Sequence, residues 1–175
     1  MGVVQRANEL EKSLKVMIGE QQRFIDELEN SMGNGNDKSS LGLISTLINF
    51  GISWGKTDIA SILARGQILY MFKINWTTLP DKFRSQYDDS YDRFVQEKFM
   101  LSPSTAASHA GKWEALMSGH HCKIPRRVNV FELNSGRLSA AARLAVDGKL
   151  TDKKWDILTN EGLTNKQVYG KIFGG

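Results

Sequence analysis

The chain holds one cysteine, three prolines and three histidines among 175 residues. The lone Cys122 excludes an intramolecular disulfide and fits an intracellular setting. It also weakens a metal reading of His120-His121-Cys122. Zinc takes about four ligands, no second Cys or His pair exists, and His109 is the only other histidine. Long apolar runs are lacking as well. Gly, Ser or Asn interrupts each one before the ~18 residues that a membrane-crossing helix needs. No basic segment followed by an apolar core opens the chain, so no secretory signal and a cytoplasmic location are expected. Catalytic patterns are equally scarce. Gly51-Ile-Ser-Trp-Gly-Lys-Thr57 ends as a phosphate-binding loop does, but the earlier glycine of that loop falls on Phe50. No Ser/His/Asp spacing or carboxylate pair stands out. The expectation is a protein that is not an enzyme and has no cofactor, no metal and no membrane partner.

What is present is an ordinary globular composition, 41% hydrophobic and 24% charged, which makes wholesale disorder a poor default. The length suits one compact domain with an appendage. The net charge of +4 is unevenly spread: residues 1–54 sum to −2 and residues 55–175 to +6. Within 101–143, Lys112, Lys123, Arg126, Arg127, Arg137 and Arg143 face only Glu114 and Glu132. Such a concentration favours a polyanionic partner over an acidic small molecule.

Taken in order, residues 1–32 read as one long helix. Val3, Ala7, Leu10, Leu14, Met17, Gln21, Phe24 and Leu28 alternate at spacings of four and three, as a heptad seam does. A helix of ~29 residues, ~43 Å long, cannot bury this stripe alone. It pairs with a copy of itself or folds back on the domain. Self-association through Leu10, Leu14, Met17, Gln21, Phe24 and Leu28 is the favoured expectation, as homodimer or higher oligomer. Residues 33–40 have the composition of a flexible linker. Residues 41–175 form the expected helical domain, in which 41–54 is a short buried helix of either core or interface. Helices are then expected from Thr57 or Asp58 to Ile74, and from Asp88 or Asp89 to Phe99. Others start at Ser102, near Leu138, at Thr151 and at Thr164, the last with capping-box spacing to Gln167. Trp54, Trp76, Trp113 and Trp155 fall at core spacing. Val128–Leu133 reads as an extended connector, and 137–175 as a small helical lobe. The fold class is mainly α: a helix-turn-helix bundle of about seven helices behind a long N-terminal coiled-coil helix.

The stretch that organises this reading is Phe94–Trp113, within a helix-turn-helix expected at 88–118. One helix ends at Phe99, a tight turn falls at Met100-Leu101, and Ser102 caps a second helix with Pro103 at its first position. Phe94, Val95, Phe99, Leu101, Ala106, Ala110 and Trp113 form the expected crossing of the two helices. Ser102, Ser104, Thr105, Ala107, Ser108 and Lys112 are the expected DNA-contacting face, with hydroxyls and ammonium for phosphate and base edges and a methyl group for thymine. Lys123, Arg126 and Arg127 are expected to grip phosphate beside it.

The runs Ala64-Arg-Gly-Gln-Ile-Leu-Tyr70, Tyr91-Asp-Arg-Phe94 and Phe99-Met-Leu-Ser-Pro-Ser-Thr-Ala106 resemble the helix-turn-helix core of ParB/KorB-like plasmid and phage proteins over residues 57–118. The resemblance implies sequence-specific binding of double-stranded DNA by a regulator or DNA-organising protein of a phage or mobile element, located in a bacterial host cell or its nucleoid. This sequence departs from the pattern at Met100, where glycine is usual, at Gln96, where a small residue lets the helices approach, and at His109, usually apolar. The alternatives are a helical assembly or adaptor protein acting through its coiled coil and segment 41–54, or a basic RNA-packaging protein.

Overall fold

The computed structural model describes residues 2–54 and 58–174, without the side chains at 3, 4, 6–8 and 10. The side chains of the seam positions Val3, Ala7 and Leu10, and the triplet Gly55-Lys56-Thr57, therefore lie outside the described residues. The described residues are mainly helical, with nine α-helices and no strand. The helices are α1 (Val3–Gly33), α2 (Asp37–Ser53), α3 (Ile59–Asn75), α4 (Asp81–Arg84), α5 (Tyr91–Phe99), α6 (Pro103–Met117), α7 (Ser135–Val146), α8 (Asp152–Leu158) and α9 (Asn165–Phe173). Side chains accept from backbone N–H groups at most of their starts: Asp58 from Ser61, Ser102 from Thr105, Thr151 from Lys154 and Thr164 from Gln167. Each satisfies a donor that a helix start otherwise leaves open.

Two apolar cores share α3 and α6. The first gathers Leu28 of α1, Ile44 and Leu47 of α2, Ile68 and Phe72 of α3, Phe94 of α5 and Ala106 of α6. Its centre is aromatic: the ring centroid of Phe94 lies 4.9 Å from Phe72, 5.5 Å from Trp76 and Phe83, and 5.2 Å from Tyr87. The second gathers Ile59, Ile62 and Leu63 from the other end of α3, Ala115 and Leu116 of α6, and Leu138, Trp155 and Val168 of α7 to α9. Between the two, α3 and α6 approach so closely that a Cβ on Gly66 would stand 2.3 Å from the His109 carbonyl oxygen. Glycine there sets the helix separation.

The N-terminal helix exists but does not stand apart. Leu14, Ile18, Gln21, Ile25 and Leu28 are buried within the chain. The buried face thus follows 14, 18, 21, 25 and 28, while Met17 is 40% exposed and Phe24 half-buried. The expected seam positions are thus divided by burial within the chain. Leu14, Gln21 and Leu28 serve the intramolecular core, and Ile18 and Ile25 replace Met17 and Phe24 as their companions. Gln21 shows why: its amide donates to Gln67 Oε1 (2.8 Å) and the Ala64 carbonyl (3.2 Å) and accepts from Trp54 Nε1 (2.6 Å). A buried amide needs partners, and Ala64 and Gln67 of α3, with Trp54, supply them.

The expected flexible linker at 33–40 is corrected too. Asn36 caps α2 by accepting from the Ser39 N–H, and the buried Ser31 and Ser40 hydroxyls lie 2.9 Å apart. Small polar residues close a tight α1–α2 corner here. Segment 41–54 belongs to α2 and the first core. The cap of α5 is Ser90 rather than Asp88 or Asp89, both of which adopt left-handed backbone (φ 51° and 59°). Trp76 Nε1 donates to the Asp89 carbonyl (3.0 Å), and Arg84 and Arg93 hold the two carboxylates. Residues 130–132 of the expected connector form a 3-10 turn.

Candidate nucleic-acid interface

Helix α5 ends where the sequence places its end. Met100 adopts the left-handed conformation (φ 55°, ψ 35°) that the turn requires, without glycine. Its side chain is 75% exposed, so the backbone cost of this conformation is not compounded by packing strain. Gln96 points to solvent and leaves the helix approach clear. Phe94, Val95, Phe99, Ala106, Ala110 and Trp113 are buried and Leu101 half-buried, so the expected crossing residues all face inward.

The other side of α6 is polar. Ser102 Oγ lies 2.9 Å from Thr105 Oγ1 and 3.1 Å from Ser104 Oγ, which clusters three hydroxyls at the helix start. A helix start carries partial positive charge and favours anions. One turn on, Ala107 and Ser108 are exposed, and Lys112 Nζ donates to Ser108 Oγ at 2.8 Å. Partial burial lowers the Lys112 pKa from its ordinary value, and among the described residues it forms no ion pair. Ser102, Ser104, Thr105, Ala107, Ser108 and Lys112 thus share one face of α6.

Lys123, Arg126 and Arg127 come after α6, whose far end lies roughly 20 Å from Ser104 by helical rise. Arg126 lines a hollow with Glu11 and Lys15 of α1 and with Phe131, and Asn129 nearby donates to Glu11 Oε2 (2.9 Å). Arg127 is ion-paired with Asp156 (2.9 Å) and near Asp152 (3.9 Å). Arg126 and Arg127 thus neighbour α1 and α8. Apolar Ile124, Val128 and Phe131 pack on the second core and anchor the basic loop there. Arg137 also leaves the basic surface. It is buried and donates to the carbonyls of Leu158 and Asn160 (2.9 Å each) and of Leu163, closing the α8–α9 turn.

Sequence reasoning did not single out Arg143. It lies on α7 beside α6 and helps line a groove of about 400 Å³, with Lys112 on the opposite wall. Its signal was its place on the polar side of the Leu138, Ala141, Ala142, Ala145 helix. His109 faces inward, 7% exposed, with no hydrogen-bond partner for Nδ1. Burial, with Arg65 and Lys112 nearby, pushes its pKa down to about 4. The Cys122 thiol, half-buried against the Ala115 carbonyl at 3.4 Å, is pushed up by burial, which makes it a poor nucleophile. Among the described residues no group of three or more His, Cys, Asp or Glu side chains could hold a metal, and no helix is long and apolar enough to cross a membrane. No protein-family model, curated protein or solved structure matches the chain.

Proposed function

We propose that this chain binds double-stranded DNA sequence-specifically through α6, as a regulator or DNA-organising protein of a phage or mobile element. The observation that carries the proposal is the α5–Met100–α6 turn. It buries the apolar side of α6 and leaves Ser104, Ala107 and Ser108 exposed with Lys112 beside them. That is the arrangement in which a second helix enters a major groove. The resemblance of residues 57–118 to ParB/KorB-like proteins agrees with it.

In this mechanism the hydroxyls of Ser102, Ser104 and Thr105 meet backbone phosphate at the start of α6. Ser108 reaches base edges, with Ala107 beside it for a thymine methyl group. Lys123 and Arg126, on the loop after α6, meet phosphate on flanking DNA. The adaptor alternative drew on the α1 seam and segment 41–54, whose buried side chains pack inside the chain.

The test is selection from a randomised duplex pool, followed by titration of the enriched duplex at several salt concentrations. The expected result is an enriched motif whose affinity falls steeply with salt. Failure to bind any duplex at low salt rejects the proposal. Preference for an RNA of the same sequence would favour the packaging alternative.

A further inference from the structure

The groove between α6 and α7 carries cations on both walls, Lys112 on α6 and Arg143 on α7, over a floor of Ala107, Gly111 and Ala142. Asp147 is the one carboxylate lining it. Neither cation is spent elsewhere. Lys112 donates to a hydroxyl, and Arg143 makes no hydrogen bond or ion pair among the described residues.

Arg143 is nevertheless held in place. Its guanidinium carbon lies 4.8 Å from the centroid of the Phe173 ring. Phe173 packs against Tyr169 with centroids 5.6 Å apart, and the Tyr169 hydroxyl donates to the Gly136 carbonyl at 2.9 Å. Two aromatic residues of α9 therefore buttress one arginine of α7. Stacking occupies the face of a guanidinium and leaves its N–H edge available, and that planar fork matches two phosphate oxygens.

We infer that the α6–α7 groove grips the DNA phosphodiester backbone between Lys112 and Arg143, with Phe173 and Tyr169 as positioning residues for the guanidinium. This rests on the DNA-binding reading and names a phosphate clamp for it. Charge complementarity selects the occupant, because the walls supply two cations against the single Asp147 carboxylate and the small floor residues let a backbone approach closely. The groove adjoins Ala107 and Ser108, so a strand held there runs beside the reading face of α6. Val146, 59% exposed on the same wall, offers an apolar contact to deoxyribose.

The experiment titrates the full chain against a fluorescein-labelled duplex of mixed sequence at several salt concentrations. Arg143→Gln and Lys112→Gln are each expected to weaken binding about threefold to tenfold and to lower the salt slope by roughly one. Phe173→Leu keeps the charge, so its affinity should fall with the slope unchanged. Phe173→Tyr should restore it, which loss of fold would not allow. Wild-type affinity and slope in both charge variants would overturn the clamp and leave the DNA reading standing. No binding by the wild type would overturn both. Displacement of the duplex by polyglutamate at matched charge would assign the groove to an acidic protein and overturn the clamp.

Discussion

His109 lies between two cations, Arg65 on α3 and Lys112 one turn along α6, and folding holds it neutral. Above pH 6.5 the imidazole is neutral in folded and unfolded chains alike, so it adds no pH dependence. As pH falls from 6.5 towards 4, the unfolded chain takes up a proton that the folded chain refuses. Stability is then lost at about 1.4 kcal/mol per pH unit, about 3 kcal/mol in all. Urea unfolding at pH 7 and pH 4.5 checks this. The wild type should lose about 2 kcal/mol more across that interval than His109→Leu, whose side chain does not titrate. An equal loss in both would remove His109 as the cause. The buried imidazole is thus tolerated at neutral pH, with Nδ1 left unpartnered.

At the scale of elements, α1 is the test case. Removing residues 1–36 strips Leu14, Ile18, Ile25 and Leu28 from the cores, each contributing roughly 2 kcal/mol. It also takes Gln21 from Trp54 Nε1, the Ala64 carbonyl and Gln67. The sum rivals the whole stability of a typical domain, about 5–15 kcal/mol. The fragment 37–175 is therefore expected to lose its cooperative thermal transition by circular dichroism. A sharp melt at the wild-type temperature would mean that α1 is a detachable arm. The same helix shows what sequence could and could not disclose. Helical periodicity reveals that a face is buried, but not whether the covering surface comes from the same chain. Starts of helices at Asp58, Ser102, Thr151 and Thr164 were legible because capping chemistry is local. Asp88, Asp89 and Ser90 are three capping residues in a row, and only Trp76, Arg84 and Arg93 settle which one serves. Charge was legible at Arg127 and Arg137, but their partners, the Asp156 carboxylate and the Leu158 carbonyl, lie 29 and 21 residues away on α8.

For the whole molecule, the intramolecular use of the α1 seam predicts a monomer. Sedimentation at micromolar concentration should give a single species near 19.6 kDa. A concentration-dependent dimer would return the seam, or another surface, to self-association. A monomer also changes the form of recognition, since one α6 reads one site and operator symmetry is not required. The two cores that share α3 have a further consequence, for synthesis. A chain emerging from the ribosome completes the first core once α6 is out. Ile59, Ile62 and Leu63 at the other end of α3 still await α7 to α9, whose last buried residue is Ile172. At roughly 5–20 residues per second, that leaves an apolar surface bare for a few seconds, and nascent chains paused in this interval are the form most exposed to chaperones and to aggregation.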